Sequence, residues 1–164
     1  MNGVAVCPGS YDPVTLGHVD VIERAAGLFE RVVVGVVRRP KHKEPLFSVQ
    51  ERMGFIEDSC AGLTNVTVEP FANLVVDFAR AHGASALVKG LRAVSDFEWE
   101  FQMQHLNKRL APDVETVYLM SSSRYSFVSS SGVKEIASFG GSVEGLVPPI
   151  VARAFAERFG TERS

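Results

Sequence analysis

An α/β fold organised around a doubly wound parallel sheet follows from three observations on the sequence. Five short β-rich runs alternate with segments of helical periodicity. The run Arg31-Val32-Val33-Val34-Gly35-Val36-Val37 is almost continuously apolar, as a strand buried on both faces has to be. The stretches rich in glycine, serine and basic residues follow the ends of these runs, and in a parallel sheet those ends share one rim.

The elements follow in order. Val4-Ala5-Val6-Cys7 reads as the first strand. It leads through Pro8-Gly9-Ser10-Tyr11-Asp12-Pro13-Val14-Thr15-Leu16-Gly17-His18 into a helix carrying Val19, Ile22, Ala26 and Phe29 at helical spacing. Such a strand-to-helix junction suits phosphate, because unpaired N–H groups and the positive end of the helix dipole meet there. The second strand, residues 31–37, is followed by a basic loop bounded by Pro40 and Pro45. Ser48-Val49-Gln50-Glu51 has the spacing of a capping box and opens a helix through about Asp58. Val66-Thr67-Val68-Glu69 is the third strand, and a helix with Leu74, Val75, Phe78 and Ala81 begins near Asn73 and stops at Gly83. Ala86-Leu87-Val88 is a short fourth strand emptying into Lys89-Gly90-Leu91-Arg92. Residues 96–110 form the longest helical pattern, with Trp99, Met103, Leu106 and Leu110 in register and Phe97 and Phe101 beside them. That apolar face is wider than one sheet contact requires, which leaves part of it for another subunit. Thr116-Val117-Tyr118-Leu119-Met120 is the fifth strand. A serine-rich loop, a helix start at Ser129-Ser130-Ser131, and a final helix opened by Pro148-Pro149 and closed by Gly160 complete a Rossmann-like single domain.

Composition narrows the function classes. The chain has 164 residues, 46% hydrophobic and 22% charged, which suits one domain spanning 1–164 with a sizeable core. A net charge of -2 argues against a nucleic-acid partner, because such domains usually carry a basic excess. Cys7 and Cys60 match neither a disulfide framework nor a zinc pattern, pointing to a reducing, cytoplasmic setting. No basic leader precedes an apolar stretch and no run reaches about 18 apolar residues, so neither export nor a membrane span is expected. Asn65-Val66-Thr67 matches a glycosylation sequon by chance.

The chemistry of the rim is that of phosphate. His18, Lys43 or Lys41, Lys89 and Arg92 supply cationic donors, and serines at helix starts supply neutral ones. Gly-x-Ser-x-Gly, His-Glu-x-x-His, Walker A and Gly-x-Gly-x-x-Gly are all missing, which disfavours hydrolase, metalloprotease, P-loop and dinucleotide readings.

Thr15-Leu16-Gly17-His18 resembles the Thr-x-Gly-His signature of the nucleotidylyltransferase superfamily. The stretch Pro8 to His18 is similar to the bacterial phosphopantetheine adenylyltransferases. The resemblance continues through Lys89-Gly90-Leu91-Arg92, Asp96-Phe97-Glu98-Trp99-Glu100, and Tyr125 to Ser131 with Lys134-Glu135, covering about Val4 to Phe159. It implies transfer of the adenylyl group of ATP to 4'-phosphopantetheine, giving dephospho-coenzyme A and pyrophosphate, with Mg2+ as cofactor and a homohexamer as the assembly.

It also implies roles. His18 contacts the ATP phosphates and steadies the α-phosphorus in flight, with helix capping as its competing role. Arg92 joins it as a catalytic cation, and Lys43, with Lys41 as the alternative register, completes the set. Ser10 holds the acceptor phosphate and borders ATP. Tyr11, Gly17 and Gly90 belong to the nucleotide side, together with Glu100 near the ribose, Tyr125 near the adenine, and Ser129, Ser130 and Ser131 on the outer phosphates. Lys89 reaches the acceptor phosphate, keeping the charge of an arginine found in many relatives. Leu74 and Val75 line the pantetheine arm, with helix core as their competitor. Trp99 is divided between ligand contact and packing. The resemblance assigns no protein ligand to the metal. The competing functions are adenylyl transfer to another phosphorylated acceptor such as nicotinamide mononucleotide, a silent nucleotide-binding regulator, and an RNA-binding module using the patch from Arg38 to Lys43.

Overall fold

The computed structural model describes residues 3–40 and 44–160. The strands are β1 (Val4–Gly9), β2 (Arg31–Val37), β3 (Val66–Phe71), β4 (Ala84–Leu91) and β5 (Glu115–Met120). The helices are α1 (Leu16–Leu28), α2 (Val49–Ser59), α3 (Val75–Ala81), α4 (Val94–Leu110), α5 (Ser130–Ser138) and α6 (Pro149–Phe159). The strands form one all-parallel sheet in the order β3-β2-β1-β4-β5, so the chain winds outward from β1 in one direction and then crosses to β4 for the other. The switch point therefore lies between β1 and β4, where a doubly wound sheet opens a crevice beyond its carboxyl ends.

Register sorts the strand residues into two cores. Val6 pairs with Val33 and with Leu87, and this row faces Val76, Phe78 and Ala79 of α3. Ala5, Cys7, Val32, Val34, Ala86 and Val88 point to the opposite face, which α1, α2, α5 and α6 cover through Ile22, Ile56, Val133 and Phe155. Burial on both faces explains the continuous apolar run of β2.

Several boundaries move from their expected places. β4 runs on through Lys89 and Gly90 to Leu91, so these residues sit on a strand end and not in a loop. β3 accepts Pro70 because it is an edge strand, where a missing N–H breaks no ladder. Leu74 is the N-cap of α3 and lies outside the helix. The capping box Ser48/Glu51 forms as the spacing requires, and Gly160 closes α6 at φ 67°. Asn65 donates its side-chain amide to the carbonyls of Ala26 and Phe29, tying the start of β3 to the end of α1. Cys7 and Cys60 are buried free thiols, and burial first, then the nearness of Cys60, pushes the Cys7 thiol up to about 12. No helix among the described residues is long and apolar enough to cross a membrane.

Candidate active site

His18 is built into the start of α1. Thr15 is the N-cap and accepts the His18 N–H on Oγ1 at 3.4 Å, while the Thr15 N–H donates to His18 Nδ1 at 3.0 Å. This is a capping box with histidine in the place where glutamate is usual. An Nδ1 that accepts a hydrogen bond leaves the proton on Nε2. Burial, and then the positive charge of Arg92, lowers the His18 pKa to about 4, so the ring is a neutral donor near pH 7. Capping and phosphate contact thus cease to be competing roles, since each uses its own nitrogen. The turn leading to Thr15 holds Tyr11 at φ 50°, a left-handed conformation unusual for a tyrosine. The Tyr11 hydroxyl donates to the Cys7 carbonyl at 3.0 Å, and its ring meets His18 edge-on.

The expected anion cradle at α1 is narrower than its sequence suggests. The Leu16 N–H is already bonded to the Leu146 carbonyl and the His18 N–H to Thr15, so most of the first turn is satisfied within the protein. The start of α5 is similar. Ser129 Oγ accepts from Gly132 N at 3.0 Å, and Ser130 Oγ donates to the Pro13 carbonyl at 2.8 Å. Two of the three serine hydroxyls therefore have structural tasks, while Ser131 is exposed. The N–H groups of Ser130 and Ser131, orphaned by helix geometry, are the donors that α5 can present to an anion.

The residues expected to act together fall around three cavities on one rim. One of about 170 Å³ sits at the switch point, lined by Tyr11, Gly17, His18, Gly90, Arg92, Glu100 and Tyr125. A second, about 470 Å³, shares His18, Gly90, Arg92 and Glu100 with it and adds Trp99 and Ser129 to Ser131. The third, about 690 Å³, is lined by Ser10, Arg38, Arg39, Leu74, Val75 and Lys89. Residues assigned to the nucleotide thus surround the first two, except Ser10, which is assigned to both substrates and borders only the third; those assigned to the acceptor surround the third, except Lys43. Lys43 and its alternative Lys41 lie outside the described residues.

Side-chain geometry links the cavities. Lys89 borders both the switch-point cavity and the largest one, and its Nζ is 2.7 Å from Glu100 Oε2. Arg92 is held in a fork by Asp96, with Nε 3.1 Å from Oδ2 and Nη2 3.3 Å from Oδ1, and its Nη1 donates to the Val128 carbonyl at 3.2 Å. Gly17 and Gly90 are places of close approach. A Cβ on Gly17 would lie 3.3 Å from Tyr125 Cβ, and one on Gly90 would lie 2.9 Å from Val21 Cγ2. Leu74 is 55% exposed at the cavity rim and Trp99 is 64% exposed, so neither is core of this chain. Val75 is half-buried against the smaller core while facing the largest cavity.

Three charged residues escaped the sequence reading as functional groups. Asp12, 7% exposed, accepts the N–H groups of Leu46 and Phe47, each at 2.9 Å, and pairs with Lys134 Nζ at 2.8 Å. Arg52 on α2 is fully buried and donates to four backbone carbonyls. Its burial lowers its pKa from the ordinary arginine value, an effect that nearby Asp12 opposes. A signal for it existed: Arg52 shares one helical stripe with Phe55 and Ile56, an arginine on an apolar face. Three of its four carbonyl partners, those of Ser10, Val37 and Arg38, lie 14 to 42 residues away, and no local pattern announces them.

A family model described as cytidylyltransferase-like matches residues 6–136. The phosphopantetheine adenylyltransferase of Heliobacterium modesticaldum is 54% identical to this chain over 157 residues, covering 96% of this chain and 93% of its own length. That of Thermomicrobium roseum is 52% identical over 163 residues, covering 98% of each chain. The phosphopantetheine adenylyltransferase of Alkaliphilus oremlandii is 50% identical over 156 residues, covering 95% of this chain and 99% of that protein.

Proposed function

Because this chain belongs to the cytidylyltransferase-like family and, within it, to the phosphopantetheine adenylyltransferases, we propose that it transfers the adenylyl group of ATP to 4'-phosphopantetheine. The products are dephospho-coenzyme A and pyrophosphate, a step of coenzyme A biosynthesis. The observation that carries this reading is the meeting of two kinds of cavity at Lys89. One side gathers His18, Arg92 and the start of α5, and the other offers Ser10 with the apolar Leu74 and Val75. A triphosphate suits the first, and a phosphate on a long, weakly polar arm suits the second.

In this reading an oxygen of the acceptor phosphate attacks the α-phosphorus of ATP in line. The bond from that phosphorus to the oxygen bridging to the β-phosphate breaks, and pyrophosphate leaves with the bond's electron pair. The nucleophile is already anionic near neutral pH, so positioning and charge stabilisation suffice. The neutral His18 ring donates from Nε2 to the phosphates, and Arg92 adds a fixed positive charge beside it. Lys89 and Ser10 hold the acceptor phosphate, with Lys43, or Lys41 in the other register, as the further cation. Mg2+ fits as a companion of the triphosphate, whose charge it neutralises. Among the described residues no group of three or more His, Cys, Asp or Glu side chains could cage a metal, so phosphate oxygens and water would be its ligands.

The assembly we propose is a homohexamer, supported by the apolar side chains that α4 leaves exposed. The compartment is the cytoplasm, where buried free thiols such as Cys7 and Cys60 stay reduced. The test is pyrophosphate release on mixing the chain with ATP, Mg2+ and 4'-phosphopantetheine, omitting each in turn and offering nicotinamide mononucleotide as a rival acceptor. Release that needs all three is expected. Release with the rival acceptor and none with 4'-phosphopantetheine would overturn the assignment.

A further inference from the structure

We propose that Arg52 is a positioning residue for the acceptor, a role that rests on the reading of the reaction given above. Its side chain is fully buried, and among the described residues no carboxylate forms an ion pair with it. All four of its hydrogen bonds go to backbone carbonyls. Nη1 donates to Ser10 O at 2.7 Å and Val37 O at 2.8 Å, Nη2 to Arg38 O at 3.1 Å, and Nε to Phe47 O at 3.1 Å. Ser10 follows β1, while Val37 and Arg38 end β2 and open the loop beyond it. All three line the 690 Å³ cavity, and none of them borders the two cavities around His18.

The guanidinium therefore ties together two walls of one cavity from behind. Asp12 completes the clamp: it accepts the Phe47 N–H at 2.9 Å while Arg52 takes the Phe47 carbonyl, so one residue is gripped at both backbone ends. A buried cation without a carboxylate is retained only where its hydrogen bonds are well met, and four carbonyls meet that need. Lysine could not substitute, since a single ammonium cannot span carbonyls that a planar fork with five donors reaches from separate nitrogens. The nucleotide side is organised by other groups, Thr15 on His18 and Asp96 on Arg92. Loss of Arg52 should therefore be felt by the acceptor and spared by ATP.

The experiment is steady-state kinetics of R52M and R52K with each substrate varied in turn, together with calorimetric binding of 4'-phosphopantetheine alone. R52K keeps the stem and the charge in the buried slot and carries the test if R52M does not fold. I56V, a cavity-creating change at a fully buried position one turn along α2, controls for lost stability. The expected result is a rise of about tenfold or more in acceptor KM and Kd for the Arg52 variants, with ATP KM within about twofold of wild type and I56V unchanged in both. Equal rises for both substrates, or an unchanged acceptor KM in a folded variant, would overturn the role of Arg52 while leaving the reaction intact. A wild-type chain that releases no pyrophosphate defeats the reaction, and this role with it.

Discussion

The imidazole of His18 gives Nδ1 to the cap of α1 and keeps Nε2 for the cavity, and burial holds it neutral. The stability consequence has a definite sign. With the folded pKa near 4 and the unfolded value near 6.5, the unfolded chain binds the extra proton in between. The contribution of His18 is therefore complete above pH 6.5 and is lost as pH falls from 6.5 towards 4, by roughly 3 kcal/mol in all. Thermal melts of wild type and H18A at pH 7 and pH 4.5 should show the larger drop in wild type, and equal drops would refute the shift. The candidate histidine was legible at this scale because Thr-x-Gly-His is a contiguous motif. Its neutrality was not, since Arg92 and the surrounding burial arrive from far along the chain.

Helix α1 and strand β4 approach so closely that a Cβ on Gly90 would stand 2.9 Å from Val21 Cγ2. Gly90 needs no special backbone conformation, so the constraint is space alone. G90A should cost about 1–3 kcal/mol in denaturant unfolding, the range of a core forced to accept an extra methyl group. V21A should recover much of that loss in the double variant, as expected for residues in contact, and additive losses would contradict the close approach. Most elements could be read beforehand, because capping boxes, a terminal glycine and apolar periodicity act over a few residues. The miss at β4 is instructive. Lys89 and Gly90 look like loop residues, yet pairing with Tyr118 and Leu119 of β5 keeps them in the strand. That pairing places Lys89 at the boundary between the cavities.

At the scale of the molecule, α4 is the element least satisfied by its own chain. Among its described side chains only Asn107 is buried, while Phe97, Phe101, Leu106 and Leu110 are each about half exposed. At 100° per residue Phe97 and Phe101 form one stripe of α4 and Leu106 and Leu110 another on its opposite side, and these exposed apolar side chains are the surface on which the proposed hexamer would form. Light scattering coupled to gel filtration should give a mass of six times the 17.8 kDa chain, and F101E/L106E should shift it to smaller species. A wild-type chain that runs as a monomer would remove the proposed hexamer.

What the sequence determined by itself was the parallel α/β class, the order of its elements and the placing of its polar motifs at the carboxyl ends of the strands. These rest on periodicity and on motifs contiguous in the chain, which local sterics and hydrogen bonding write directly into neighbouring positions. Only the tertiary structure decided which residues of those motifs face a common cavity, that two of the α5 serines spend their hydroxyls inside the protein, and that Arg52 ties Ser10 to Val37 and Arg38 while Asp12 holds Leu46 and Phe47. Such decisions depend on carbonyls and charges up to 122 residues apart, as Asp12 and Lys134 are, and on how far burial removes them from water. Neither quantity is a property of any short stretch of chain.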